Sequence, residues 1–186
     1  MPAMICPRCW GSAQDPDGGK CSFCNGARQV DDQSLTDHFM LSEMLFSDTA
    51  VRKHIPNDPT DEIVANLRKT ASFLELLRDK AKVALHVNSS YRCIALNDAI
   101  GGSKTSAHRF GLAADILPKG MGRKEFMEVC VDAGLPYDQY IYEGTWVHVG
   151  VEYPETGAQR GENLMAFPAG GKMAYFPYNP NDARVV

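Results

Sequence analysis

The chain has 186 residues, a formal net charge of −4, 44% hydrophobic residues and 23% charged residues. This length allows one hydrophobic core plus a small appendage. The acidic balance argues against a general binder of nucleic acid or of anionic membranes, so no nucleic-acid partner is expected. No apolar run approaches the ~20 residues of a membrane span, and the N-terminus lacks the pattern of a secretory signal.

Residues 1–30 contain two near repeats of the pattern CxxCxG. Each CxxC can direct two thiolates at one ion, and paired CxxC motifs without a secretory signal favour metal binding over disulfides. This segment has too few apolar residues to fold alone, so a bound metal would stabilise it. We therefore predict a small zinc-ribbon-like module over residues 1–30, with reactive thiols or disulfides as the alternative. Its structural zinc ligands would be Cys6, Cys9, Cys21 and Cys24.

The remaining residues, 31–186, are predicted to form one α+β domain. Asp58 is expected to cap a long helix, because Pro59 follows it and an apolar stripe then repeats every three or four residues. The other predicted elements, in chain order, are a short helix within 35–49, a strand at 83–87, a helix at 94–100, a strand at 113–117, a helix at 123–133, strands at 139–143 and 146–150, and a hairpin within 160–178.

One of these hairpins predicts which side chains lie together. Its loop, Gly144-Thr145, has two residues with glycine first, which is typical of a type II′ turn. The resulting register places Ile141 opposite His148, and directly opposed residues share a face of the sheet. Gln139, Glu143 and His148 are therefore expected to project from the same face.

Two histidines and one carboxylate form the strongest candidate for a catalytic site. His108 and Asp115 are separated by a predicted turn at Gly111, and His148 lies downstream. Two imidazoles and one carboxylate leave a coordination position open, as catalytic zinc requires. We predict that these three residues bind a catalytic zinc ion.

Several separated motifs resemble those of a known family of zinc peptidases. They are Ser89-Ser90-Tyr91-Arg92, Leu96-Asn97, Gly101-Gly102-Ser103, the stretch from Ser106 to Asp115 that reads SxHxxGxAxD, Asp138-Gln139, and Trp146-Val147-His148. In this order they resemble the zinc D-Ala-D-Ala carboxypeptidase and L-alanyl-D-glutamate peptidase family, metallopeptidase family fifteen, and especially its short phage-type branch. The similarity runs from about residue 35 to about residue 177 and does not include the N-terminal cysteines.

The resemblance implies a fold and a set of roles. The fold would be a small antiparallel sheet with flanking helices, as in Hedgehog and DD-peptidase domains. Arg92 would hold a carboxylate of the substrate, Ser106 would contact the substrate, and Gln139 would join them on the substrate-binding face. Family members usually carry the catalytic base three positions before the second zinc histidine. Thr145 stands there in this chain, so Glu143 is the predicted base and Asp138 is the alternative.

Two classes of function follow from these motifs. The first is a zinc peptidase that hydrolyses peptidoglycan peptides, either as a D,D-carboxypeptidase or as an endolysin-type endopeptidase. The second is a non-catalytic, metal-stabilised structural or binding module, as part of a phage particle with phage structural proteins as partners. The resemblance and the lack of a signal together suggest synthesis in the cytoplasm and action on the cell wall after lysis or from a particle.

Overall fold

Eight strands and five α-helices are present in the computed structural model, which describes residues 2–186. The strands are β1 (Ala3–Ile5), β2 (Gln29–Asp31), β3 (Leu85–Ser89), β4 (Ala113–Pro118), β5 (Gln139–Tyr142), β6 (Val147–Gly150), β7 (Glu162–Ala169) and β8 (Lys172–Pro177). The helices are α1 (Leu41–Leu45), α2 (Asp48–Lys53), α3 (Asp61–Ala81), α4 (Ile94–Ala99) and α5 (Arg123–Asp132), with a 3₁₀ turn at Ala107–Phe110.

Six strands form the main sheet in the order β3-β4-β6-β5-β7-β8. All neighbours are antiparallel except β5 and β7, which run parallel. The α+β prediction is confirmed, and the sheet is larger and more mixed than a small antiparallel sheet. The difference arises because the predicted C-terminal hairpin, now β7–β8, joins the edge of β5 through a parallel pairing.

The core lies between one face of this sheet and the helices α3 and α5. The buried stripe of α3, which includes Leu67, Leu74 and Leu77, packs with Phe126 of α5. The predicted start of α3 is wrong by two residues, because Thr60 caps the helix by accepting a hydrogen bond from the Ile63 amide. The predicted cap, Asp58, instead accepts a hydrogen bond of 3.1 Å from Arg8.

Side chains alternate between the two faces of a strand, so the register also defines which residues lie on the face turned away from the core. We call this face of the main sheet the second face. One row of directly paired residues crosses it from β3 to β8. The row consists of Ser89, Asp115, His148, Ile141, Leu164 and Pro177. The predicted pairing of Ile141 with His148 is confirmed.

The N-terminal cysteine segment packs against the main body. Its strands β1 and β2 pair antiparallel, and the predicted boundary between residues 30 and 31 falls inside β2. The Trp10 indole donates a hydrogen bond of 2.7 Å to the carbonyl of Ile55, and the Asn57 amide donates one of 2.9 Å to the carbonyl of Pro7. The two-domain division stays a prediction.

Among residues 2–186, no helix combines the length and the apolar character that crossing a membrane requires.

Candidate metal centres

The three predicted zinc ligands come from three elements that the sheet and one tight turn bring together. Asp115 of β4 and His148 of β6 are directly paired across the antiparallel ladder. His108 arrives from the 3₁₀ turn, which ends at Gly111 with a φ of 69°. A side chain at Gly111 would meet the backbone oxygen of Ile63 at 3.2 Å, so glycine both permits the turn and allows close packing against α3.

The ligand atoms have the mutual spacing of a zinc site. Nε2 of His108 lies 3.1 Å from Oδ1 of Asp115 and 3.1 Å from Nδ1 of His148, and the latter two atoms are 3.0 Å apart. A tetrahedral zinc ion with bonds of about 2.0–2.1 Å separates neighbouring ligand atoms by about 3.3 Å. The three side chains therefore fit zinc with little adjustment and leave a fourth position for water or substrate.

Further hydrogen bonds orient these ligands. Nδ1 of His108 donates to the carbonyl of Ser90 at 2.7 Å, which leaves the lone pair of Nε2 free for a metal. The Ser90 hydroxyl in turn donates to the carbonyl of Ala113 at 2.8 Å. Oδ2 of Asp115 accepts a hydrogen bond of 2.5 Å from Nη2 of Arg92. The Ser90 carbonyl thus orients His108, and Arg92 orients Asp115, as metal coordination requires.

The protonation states of the ligands also suit metal binding. Burial lowers the pKa of His108 to about 4, against the opposing effect of Asp115. Burial alone would raise the pKa of Asp115, but His108, His148 and Arg92 together hold it well below its usual value. A neutral imidazole and an ionised carboxylate are the forms that coordinate a metal.

The predicted base, Glu143, lies one residue beyond β5 on the second face. Its amide donates a hydrogen bond of 3.0 Å to the carbonyl of Trp146, which continues the hairpin register and places Glu143 on the same side as His148. Burial raises the pKa of Glu143, and the negative charge of Asp115 raises it further. The charges of His148 and Arg92 act in the opposite direction and lower this pKa. The buried N–H of the nearby Trp146 indole completes no hydrogen bond within residues 2–186.

The alternative base, Asp138, is poorly placed for proton transfer at the triad. It is buried, and its two oxygens accept hydrogen bonds of 2.6 and 2.9 Å from Arg160. It also lies one residue before β5, and the Arg160 guanidinium that holds it contacts Glu162 at 3.2 Å as well, so its carboxylate is engaged in an ion-pair cluster. The geometry favours Glu143.

The predicted substrate-binding residues occupy three different surroundings. Arg92 donates from Nε to the Ser89 hydroxyl at 2.9 Å in addition to its contact with Asp115, and its side chain is 15% exposed. Ser106 directly precedes the 3₁₀ turn and makes no capping hydrogen bond with its side chain. Gln139 lies one row from His148 and donates to Glu162 at 2.7 Å, so its amide is already engaged.

Two asparagines support the site without having been predicted to do so. Asn57 donates to the carbonyl of Tyr91 at 3.1 Å and accepts from the Cys93 amide at 2.8 Å, so it holds the residues on both sides of Arg92. Asn97 donates to the carbonyl of Ser103 at 3.0 Å and anchors the loop that precedes His108. Asn97 belongs to one of the motifs quoted above. Asn57 carries no local signal, because its partners lie 34 and 36 residues away.

The four N-terminal cysteines form a second metal-ligand set. Their thiols are buried, and sulfur–sulfur distances are 3.8 Å for Cys6–Cys21 and 3.7 Å for Cys9–Cys24. Tetrahedral zinc with bonds of about 2.3 Å separates its sulfurs by about 3.8 Å, whereas a disulfide bond measures about 2.05 Å. All four cysteines are free. The cluster thus has the geometry of a Cys₄ zinc site and not of two disulfides.

Comparison with known families agrees with this chemistry. A family model described as Peptidase M15 matches residues 37–150, which is more than half of the chain. The chain belongs to the peptidase M15 family. A search of curated proteins finds no match. The matched segment contains the whole triad together with Arg92 and Glu143, and it excludes the cysteine cluster and the β7–β8 hairpin.

Family membership establishes the general class of this protein. Peptidase M15 enzymes are zinc-dependent metallopeptidases of the peptidoglycan-related type, and this chain presents a matching set of ligands at His108, Asp115 and His148. The resemblance seen in the motifs is confirmed at the level of the family.

Proposed function

We propose that this protein is a zinc-dependent peptidase that hydrolyses peptidoglycan peptides, as a D,D-carboxypeptidase or an endolysin-type endopeptidase. The observation that carries the proposal is the convergence of three ligand atoms within 3.0–3.1 Å of one another, with Glu143 on the same face of the sheet. A zinc ion in this site would polarise the scissile carbonyl and lower the pKa of a bound water. A second zinc ion would stabilise the cysteine module.

Glu143 takes the proton of the attacking water and returns it to the leaving amine. A carboxylate with a raised pKa is a stronger proton acceptor than an ordinary glutamate, and proton transfer of this kind contributes about 10²–10⁴-fold to rate. The partial burial of Glu143 also limits the solvent around its carboxylate. The register of the hairpin puts Glu143 and the ligand His148 on the same face of two adjacent strands.

Arg92 anchors a carboxylate of the substrate. Its Nε and Nη2 atoms are held by Ser89 and Asp115, while Nη1 has no hydrogen-bond partner in the described chain. A guanidinium fixed in this way is pre-organised, so binding a carboxylate costs little side-chain entropy. Ser106 and Gln139 would also contact the substrate. A terminal carboxylate would give carboxypeptidase action, and an internal one, as on D-glutamate, would give endopeptidase action.

The setting of this reaction is also proposed, from the resemblance to phage-type enzymes. The protein would reach the cell wall after host lysis or as part of a phage particle, and phage structural proteins would then be its partners. Thr145 occupies the position where family members usually carry the base. This difference favours one other candidate function, a non-catalytic module that keeps its metals.

Purified protein incubated with peptidoglycan tests these alternatives directly. Fragments analysed by mass spectrometry should identify a new amine and carboxylate at one peptide bond, and chelation of zinc should abolish the cleavage. If zinc-loaded protein leaves the wall peptides intact, the peptidase proposal is wrong and the non-catalytic module is favoured.

A further inference from the structure

The β7–β8 hairpin extends the site-bearing sheet beyond the part of the chain that matches the family. It begins at residue 162, whereas the match ends at residue 150. β7 pairs in parallel with β5, the strand that leads to Glu143, and β8 forms the outer edge of the sheet. This hairpin can therefore give the chain a binding surface that the matched family segment does not contain.

The register places Tyr175 of β8 in line with the proposed base. Tyr142 pairs with Met165, so the next residues along these parallel strands, Glu143 and Ala166, are neighbours. Ala166 is paired directly with Tyr175. Directly paired residues share a face, and adjacent strands lie about 4.8 Å apart, so the backbones of Glu143 and Tyr175 are about 10 Å apart on the second face.

The small residue between them leaves room for the tyrosine ring to approach the base. Ala166 is only 1% exposed, although it is small and lies near the edge of the sheet. Larger neighbouring side chains therefore shield it from solvent. Tyr175 remains 57% exposed, so much of its surface is free to contact a ligand. Burial raises the pKa of Tyr175, and the carboxylates of Glu143 and Asp115 raise it further, which agrees with a phenol directed toward the site.

Between His148 and β8, the row that contains the metal ligands carries no charge, and the neighbouring row of Tyr175 carries the proposed base, Glu143. Ile141, Leu164 and Pro177 continue the row that begins at Asp115 and His148. At the opposite end of that row, beside β3, Arg92 provides a cation. The two ends of this row therefore suit different parts of a peptide, with a carboxylate beside β3 and an uncharged portion beside β8.

We infer that β7–β8 forms a subsite for the uncharged part of the wall peptide, on the side of the scissile bond away from Arg92, and that Tyr175 determines its specificity. The ring of Tyr175 packs against a small alanyl side chain, and its hydroxyl donates a hydrogen bond to a backbone carbonyl of the peptide. This inference rests on the proposed peptidase function.

Three variants on β8 test the assignment. Tyr175→Ala removes the ring and the hydroxyl, and Tyr175→Phe removes the hydroxyl alone. Phe176→Leu is the matched control, because Phe176 is the next residue on the strand, is 37% exposed and faces the other side of the sheet. For each variant we would measure zinc content, kcat and KM on a stem peptide with alanine in the proposed subsite. The Kd of the same peptide would be measured by calorimetry in a Glu143→Gln background.

Tyr175→Ala should raise KM and Kd about tenfold with little change in kcat or zinc content. Tyr175→Phe should raise both constants by about two- to tenfold, the range expected for one hydrogen bond. Replacing the alanine of the peptide by lysine should weaken the binding of the peptide to the wild type. The same replacement should weaken its binding to Tyr175→Ala much less.

Unchanged Kd values in both Tyr175 variants, with cleavage by the wild type intact, would overturn this inference and leave the proposed function standing. The same holds if Phe176→Leu weakens binding as much as Tyr175→Ala does. A zinc-loaded wild type that neither binds nor cleaves any wall peptide would overturn the proposed function, and the subsite with it.

Discussion

Nη2 of Arg92 donates a hydrogen bond of 2.5 Å to Oδ2 of Asp115, while Oδ1 of the same carboxylate faces the two histidines. One guanidinium thus orients a metal ligand and keeps Nη1 without a hydrogen-bond partner among residues 2–186. The residue predicted to anchor the substrate also supports the metal site, so a substitution of Arg92 will disturb two properties at once.

Arg92→Ala should therefore raise the KM for carboxylate-bearing peptides and weaken zinc binding at the triad. Loss of an outer contact to a metal ligand typically lowers metal affinity about 10–100-fold. Arg92→Lys is the matched control, because it keeps the charge but cannot hold both Ser89 and Asp115 as the planar fork does.

The two roles of Arg92 are separated by changing the substrate in place of the enzyme. Amidation of the peptide's carboxylate should raise the KM of the wild type with zinc content unchanged. If amidated and free peptides are cleaved equally well, Arg92 does not anchor the substrate and only its contact with Asp115 remains.

The protein should bind two zinc ions per chain. The triad and the cysteine cluster are separate ligand sets with different donor atoms. Elemental analysis should show a loss of one ion in His108→Ala and, separately, of one ion in Cys21→Ser. A variant that retains both ions would refute the assignment of its site.

Glu143→Gln should keep both zinc ions and lose turnover by on the order of a hundredfold or more, because the amide cannot accept the proton of the attacking water. Steady-state kinetics with metal analysis of the same sample would measure this. Asp138→Asn is the informative comparison. It should destabilise the fold by about 1–3 kcal/mol through its buried contact with Arg160, with a much smaller effect on turnover. The reverse result would move the role of base to Asp138.

Cys6→Ser should loosen the N-terminal module while the main domain stays folded. Limited proteolysis should then cut within the first 30 or so residues, and hydrolysis of wall peptides should persist within about tenfold of the wild type. Some loss is expected, because the Pro7 carbonyl between the cysteines accepts a hydrogen bond from Asn57, and Asn57 holds the segment around Arg92. Complete inactivity in a variant with a folded core and a loaded triad would show that the module acts directly in catalysis.

The sequence by itself was sufficient for features that depend on local patterns. The spacing of the two CxxC motifs predicted a shared metal site because each knuckle is formed by a few consecutive residues. The Gly144-Thr145 loop predicted the pairing of Ile141 with His148, because the length of a hairpin loop sets the register of both strands. The triad itself followed from residue type and motif order.

Only the tertiary structure decided which groups meet across long stretches of chain. Asp138 and Glu143 are equally acidic in sequence, and the pairing of Asp138 with Arg160 distinguishes them. Nothing local predicts that Asn57 supports the segment around Arg92, or that β7 joins β5 in parallel and brings Tyr175 into line with Glu143. Such contacts depend on the packing of whole elements, because a strand pattern specifies which side chains share a face but not which neighbouring strand they will lie beside.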